Sequence, residues 1–578
     1  MRLLRVIVLF MVILLSALLA LGILCSPQVR TVDDAGFSAE RVVRDIAEFA
    51  HSHHSVAHPE ERAKVRKYLL SRLESFAPDR IEQFEYKGLE GPDNKHVKYT
   101  FDAVNILAEF LPEGNETVSA ELLLVAHYDS RYSQPMHTGD TVWSYGAADD
   151  GYGIGVILEI LEQALSFRGR WKQGIKVLFT DAEEPGMKGM KAMWEHDREE
   201  FRNVGLVMNM EARGPWGPVL LFETSAGNER IMELYGKKAK WPFTYSLTTV
   251  VYSIMPNYTD FTILKDELPG LNFSTVADIN HYHTDLDNLD NVNTRTIQHY
   301  GEQVMPVVEE YLCNSIYADR EYLHADRNTV SFTIPAIGLF NFSKTAYLWL
   351  NMAVYLIFLL LLIVDVLHNR VFLGSVLRYV PVILAVMFAV FGIGLLSSYL
   401  CCLVAGVPFK LFGIVQGVPF DNTAMLVLVS VMILVTSICY FVVRCKQKAC
   451  YKAAFLTESK HQVTTLFAIS RLYSIMLLLL VLSAVLLFTL GENIMFFIPS
   501  TIAVIVLFLC RVTRMRLWLV LGIGVILLHA ISFLFALAMA LTIGAFALVL
   551  TLAFLDTLLV LPLADLYVTS NIKSNKIK

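Results

Sequence analysis

The stretch KVLFTDAEEPG, residues 176–186, decides how the first half of the chain folds. A short apolar run ends on Asp181, Glu183 and Glu184 and is stopped by Pro185 and Gly186. That length and that breaker read as a buried strand delivering acids at its carboxyl end. Two neighbouring carboxylates there repel one another unless a cation or a proton intervenes. One can bind metal while the other stays free as a general base. A lone Glu-Glu pair is more commonly a solvated acidic turn, so the surrounding segments decide between the two.

Four other segments repeat the pattern. Residues 122–129, LLLVAHYD, run apolar into His127, with Asp129 two positions on. A metal-bound histidine commonly gives its second N–H to a carboxylate, and this pair suits that arrangement. Residues 146–153, GAADDGYG, set Asp149 and Asp150 in a glycine-rich turn before an apolar helix, as a helix N-cap or as carboxylates offered to metal. Residues 207–212, VMNMEA, end on Glu211. After an expected strand at 270–274 comes HYHTD, residues 281–285, in which His281 and His283 suit ligation equally by spacing. Together, two histidines and three carboxylates leave separate strand ends with a spare glutamate beside one of them. Zinc accepts that mixture of nitrogen and oxygen donors and keeps a position for water in catalytic sites. A bridging carboxylate would hold two ions roughly 3.5–4 Å apart.

Working outward, apolar runs predict strands at 104–110, 122–128, 176–180, 206–210, 219–222 and 270–274. Spacing of 3.6 residues predicts helices at 63–75, 153–166, 188–195, 228–237 and 294–313. This alternation implies an α/β domain, a mixed and largely parallel sheet with helices on both faces. In such sheets ligands gather at the carboxyl ends of strands, where the polar clusters fall.

Of 578 residues, 55% are hydrophobic and 18% charged, against about a quarter charged in an ordinary globular domain. The deficit lies after residue 345, where long apolar runs dominate; residues 29–344 read as a soluble domain. A net charge of −6 gives no electrostatic reason to expect nucleic acid. Of eight cysteines only Cys313 falls in the soluble half, so neither a disulfide framework nor a zinc-finger spacing is present there.

Apolar runs at 6–24, 347–367, 380–404, 424–443, 472–490, 494–510, 517–536 and 541–563 are each long enough to span a bilayer as a helix. The first exceeds the h-region of a cleaved signal and reads as an anchor over 1–28. A transmembrane domain of about seven helices then covers 345–566, ahead of a tail at 567–578. Arg2 and Arg5 place the N-terminus in the cytoplasm. Alternating spans put Arg370 and Arg378, the basic cluster at 444–460, Arg511, Arg514 and Arg516, and Lys573, Lys576 and Lys578 on the same side. The domain between the first two spans is then extracytoplasmic, in a periplasm or an organelle lumen. Asp365, His529 and Asp556 lie in or near apolar runs, where ionisable groups are costly; Asp365 is close enough to an end to snorkel. The histidine-rich stretch 51–58 reads as a surface segment, and Asn115, Asn257, Asn272 and Asn341 match the glycosylation pattern.

On these five ordered motifs, residues 103–311 resemble the co-catalytic zinc exopeptidases, the family of bacterial leucyl aminopeptidases and glutamate carboxypeptidase. They are most similar to its membrane-embedded branch, that of the vacuolar membrane protease and the endoplasmic reticulum metallopeptidase. The resemblance implies two zinc ions per chain. His127, Asp149 and Glu211 would hold one, and Asp149, Glu184 and His283 the other. Glu183 would be the general base, Asp129 would orient His127, and Tyr282 would donate to the tetrahedral intermediate. His283 is preferred to His281 because Thr284 and an acid at 285 or 287 follow it, as in the family. Tyr152 stands where relatives often have Ser, and residues 256–261 are similar to a part of the substrate pocket. The implied activity is hydrolysis of peptides at a membrane by a hydroxide held between the zincs, as an aminopeptidase. A carboxypeptidase on the same scaffold, a single-zinc cyclase and a non-catalytic ectodomain serving a transport domain are the competing readings. Metal content and assays on end-blocked peptides separate them.

Overall fold

Strands without a charged residue in their middle, such as 122–126 and 204–210, have no face to offer water and call for cover on both sides. In the computed structural model they form the centre of one sheet. The structure describes residues 2–22, 26–91, 99–115, 117–131, 134–135, 141–254, 257–368, 370–418, 422–454 and 460–569. Two units are present: Ser26–Thr333 with Gly338–Lys344, and Met1–Cys25 with Ile334–Ile337 and Thr345–Lys578.

The first unit is an α/β domain. Its strands are β1 (Arg80–Glu90), β2 (Thr100–Phe110), β3 (Glu121–His127), the two-residue pair β4 (Gln134–Pro135) and β5 (Thr141–Val142), β6 (Gly174–Thr180), β7 (Val204–Ala212), β8 (Trp216–Thr224), β9 (Gly270–Ala277), β10 (Thr329–Ile334) and β11 (Gly338–Ser343). Seven make one sheet in the order β1-β2-β6-β3-β7-β9-β8. The central β6, β3, β7 and β9 are parallel, and antiparallel pairs close both edges. Every residue of those four strands is buried.

Side chains alternate between two apolar layers, as the pleat requires. Leu122, Leu124 and Ala126 pack with Val42, Ile46 and Phe49 of helix Ala39–Phe49 and with Ile157 and Leu161 of helix Gly151–Leu165. Leu123 and Val125 pack on the other face with Met190, Met193 and Phe261. Each such side chain fully withdrawn from water contributes about 1.5–3 kcal/mol. The helix Lys188–His196 begins against the end of β6, where a Cβ at Gly189 would collide with the Asp181 carbonyl.

The sequence reading found the central strands within a few residues but not β1, a polar edge strand with only Tyr86 buried. It also passed over helix Ala39–Phe49, whose Val42, Ile46 and Phe49 do lie at helical spacing behind the Ser38 cap. The histidine stretch is not wholly on the surface: His54 is buried, and its N–H donates to the Ser130 hydroxyl at 3.2 Å. His53 and His58 gather instead around the Trp143 ring.

The second unit is helical. Among the described residues, seven stretches are long and apolar enough to cross a membrane: Arg2–Ala20, Lys344–Leu367, Leu373–Ala405, Val427–Cys445, Thr465–Leu490, Ile494–Thr513 and Leu517–Thr569. The last is divided at Thr542–Ala545 into two helices, Leu517–Leu541 and Phe546–Thr569. Asp365 does not snorkel. It is fully buried, accepts from the Tyr473 hydroxyl at 2.7 Å and pairs with Arg511. The tail beyond residue 569 lies outside the described residues.

Candidate metal centre

Each of the four parallel strands delivers one part of a single pocket at its carboxyl end. His127 is the last residue of β3. Its Nδ1–H donates to the Asp129 carbonyl at 3.0 Å, which turns Nε2 and its lone pair toward the pocket. The Asp129 carboxylate lies 3.6 Å from the ring and does something further. Its two oxygens accept from the N–H of Glu183 at 2.9 Å and of Glu184 at 3.2 Å, shaping the turn after β6. That turn needs left-handed backbone at Ala182, φ 57°.

The adjacent aspartates divide the roles that sequence left open. Asp150 caps helix Gly151–Leu165, accepting from Gly153 N–H at 3.1 Å, and its other oxygen takes the His127 N–H at 3.3 Å. Asp149 points the other way. Its Oδ1 is 3.3 Å from His127 Nε2 and its Oδ2 is 3.2 Å from His283 Nε2, so one carboxylate faces both histidines. The peptide joining the two aspartates is cis.

Glu184 Oε2 is 3.2 Å from His283 Nε2 and 3.0 Å from Arg131 Nη1. Glu211, at the end of β7, accepts from the Asn209 amide at 3.0 Å and places its second oxygen 3.9 Å from His127 Nε2. His283 follows β9 in left-handed backbone, φ 59°, and the Tyr282 ring stacks on it with centroids 3.5 Å apart. His281 turns aside to Asp278 at 3.1 Å. Of the two candidate acids after Thr284, Asp285 is exposed and Asp287 is buried. Asp287 accepts from Ala148 N–H at 2.6 Å, from Asp149 N–H at 3.3 Å and from the Ser144 hydroxyl at 2.9 Å, fixing the turn that carries Asp149.

Two donor clusters result, His127, Asp149 and Glu211, and Asp149, Glu184 and His283, each with its donor atoms within 4.8 Å of one another. Tetrahedral donors at about 2.0–2.2 Å from zinc stand about 3.3–3.6 Å apart, close to three of these separations. The electrostatics ask for cations too. Burial, with Asp149 and Asp260 nearby and His127 opposing, pushes Glu211 up to about 8. Burial likewise holds Glu183 well above the ordinary carboxylate range, His127 opposing and Glu211 adding. Burial works against the charge on Asp149, yet hydrogen bonds from His127 and His283 outweigh it and keep that carboxyl below its usual range. The residues present fit a pair of ions that accept nitrogen and oxygen.

Sequence reasoning did not single out Arg131 or Asn209; it had Asp260 within the pocket stretch 256–261 and Asp287 as one of two acids after Thr284. Asp260 is buried and takes the Thr180 hydroxyl, and burial raises it to about 6. Arg131 and Asn209 are neither acids nor histidines, so a search for metal donors gave no signal for them. Of the stretch 256–261, Pro256 lies outside the described residues.

Paired clusters of histidine and carboxylate about the carboxyl ends of parallel strands are what an α/β domain of the metallopeptidase class would present. Residues 105–308 match the family model described as Peptidase family M28, and the chain carries a peptidase M28 domain. The chain is 28% identical over 264 residues to the vacuolar membrane protease of Candida tropicalis, an alignment covering 44% of this chain and 26% of that protein. It is 26% identical over 250 residues to endoplasmic reticulum metallopeptidase 1 of Homo sapiens, covering 42% and 26%. The chain thus spans about a quarter of the length of these relatives. A solved Zn-dependent exopeptidase from Parabacteroides distasonis superimposes with a TM-score of 0.37 at 20% identity, over 47% of this chain and 98% of that one.

Proposed function

We propose that the chain is a membrane-bound di-zinc metallopeptidase that hydrolyses peptide bonds as an aminopeptidase. One observation carries the reading: within an M28 domain, the Asp149 carboxylate faces both histidines of two adjoining donor clusters while Glu183 stays outside both. His127, Asp149 and Glu211 would hold one ion and Asp149, Glu184 and His283 the other. Bound there, the ions would supply Lewis acidity toward the peptide carbonyl and lower the pKa of a water. Glu183, half-buried with its proton affinity raised by burial, takes a proton from the attacking water and returns it to the leaving amine. Asp129 is a positioning residue whose carbonyl sets the His127 ring and whose carboxylate holds the Glu183–Glu184 turn. Tyr282, stacked on His283, turns a donor toward the carbonyl oxygen.

Residues 1–28 anchor the chain, 29–344 form the peptidase domain, 345–566 the transmembrane domain and 567–578 a cytoplasmic tail. The basic residues of the loops set the peptidase domain on the non-cytosolic side, in periplasm or lumen. A carboxypeptidase is the second reading, and Arg213, at the pocket beside Tyr282, favours it. Metal analysis of the purified chain, with hydrolysis of amino-blocked and carboxy-blocked peptides in parallel, tests all of this. Two zinc ions and cleavage that a blocked amino terminus abolishes are expected. Cleavage abolished by a blocked carboxyl terminus selects the second reading, and no bound metal ends both.

A further inference from the structure

The pocket is rich in carboxylates, yet the guanidinium beside it takes none of them. Arg213 follows Glu211 by two residues and its backbone is pinned by its N–H to the Thr275 carbonyl at 2.9 Å. Among the described residues no carboxylate lies within ion-pair distance of it. Its guanidinium carbon lies 6.0 Å from the centroid of the Tyr282 ring. Beside it stands a second group lacking a partner. Tyr252, on helix Ser246–Ile254, is 7% exposed, and its buried hydroxyl makes no hydrogen bond among the described residues. The Phe222 ring, edge-on at 4.8 Å, holds the Tyr252 ring in place. That hydroxyl lies within electrostatic range of Arg213, Glu211 and Glu183, and Tyr282 lies within range of Arg213, Asp149 and Glu184. A guanidinium without an acid and a buried phenol without a partner thus both lie near the acids of the donor clusters.

A buried hydroxyl without a partner is costly and persists where a ligand supplies the partner. A guanidinium fork matches the two oxygens of a carboxylate, and a phenol adds a third donor to the same group. We propose that Arg213 and Tyr252 form a carboxylate-binding subsite, so that the pocket selects peptides carrying a carboxylate close to the bond that is cut. The subsite rests on the peptidase reading for the reaction but not for the binding. Two sources share this chemistry, the free carboxyl terminus of a short peptide and an acidic side chain after the scissile bond.

The test uses the full chain, metal-loaded, in detergent. Calorimetric titration of the Glu183→Gln chain compares one dipeptide as free acid, as carboxamide, and as carboxamide with Glu in its second position. Either acid should bind on the order of ten- to a hundredfold more tightly than the neutral carboxamide. The acid that does so names the source. Adding Arg213→Met should collapse the preference, Arg213→Lys should keep part of it, and Tyr252→Phe should lower it several-fold. Equal binding of all three ligands, or a preference that survives Arg213→Met at unchanged metal content, overturns the subsite. With the wild-type chain, a kcat that Tyr252→Phe lowers equally for acid and amide puts that hydroxyl on the reacting carbonyl and removes it from the subsite. Preference without any hydrolysis leaves the subsite standing and ends the peptidase reading.

Discussion

Glu183 and Glu184 share one backbone turn and separate at their side chains. Glu184 faces His283 and Arg131, while the Glu183 carboxylate takes no hydrogen bond among the described residues and only its backbone is held, on Asp129, Gly186 and Met187. Glu183→Gln should therefore keep wild-type metal content and lower kcat by about 10²–10⁴-fold, read by elemental analysis beside a peptide assay; wild-type turnover would refute the role. A second residue sets acid tolerance. His299 is buried and its Nδ1 accepts from Val219 N–H at 3.2 Å. Burial pushes it down to about 4 from an ordinary 6.5, against a bond to the Trp241 carbonyl that favours the charged ring. The folded value lies below the unfolded one, so this contribution is whole above pH 6.5 and is lost as pH falls through 4. Its size is on the order of 3 kcal/mol. His299→Gln keeps an acceptor but does not titrate, and its thermal midpoint should fall less than the wild type's between pH 6.5 and 4. At this scale the sequence exposed His127, Glu184 and Glu211, because each closes an apolar run, while Asp149 showed only as part of a glycine-rich turn and His283 only beside His281. It hid Arg213, Tyr252 and His54, whose positions depend on what packs around them.

Elements carry the site through their ends. Helix Pro59–Glu74 is tied to the end of β6 by Arg62, whose Nη1 lies 3.3 Å from Asp181 Oδ1 and whose Nη2 donates to the Asp102 carbonyl at 2.8 Å. Both side chains are buried. Arg62→Met strands the acid, which burial already raises to about 6. It should lower stability of the peptidase domain by about 3–5 kcal/mol, seen as a lower thermal midpoint. An unchanged midpoint would show that the pair holds nothing. The central strands were legible because a strand covered on both faces is mostly apolar, with few polar positions such as Lys176 and Asn209 to break its run. β1 was not, since an edge strand shows water most of its surface and resembles a loop in sequence.

At the scale of the whole molecule, orientation rests on basic residues in loops, and the peptidase domain provides an independent check. Asn115 sits exposed in the turn between β2 and β3, whereas Asn272 is fully buried in β9 and donates to Glu223 at 3.0 Å. Expressed in a glycosylating secretory membrane, the chain should carry a glycan at Asn115 and none at Asn272. A gel shift removed by deglycosylation and absent in Asn115→Gln would show this, and an unglycosylated Asn115 would argue for the opposite orientation. The sequence pattern alone could not separate the two asparagines, because burial is set by the sheet.

The order of strands also dictates a schedule for synthesis. β3 is made first but lies between β6 and β7, both of which come later in the chain. The ribosome must add about 80 residues after His127 before β7 begins, about 4–16 s at typical elongation rates. Until β6 is made the apolar run Leu122–Ala126 of β3 has neither neighbour, and until β7 follows it has only one. The nascent domain is most prone to aggregate in those seconds, and a chaperone on that side of the bilayer would find its binding segment there.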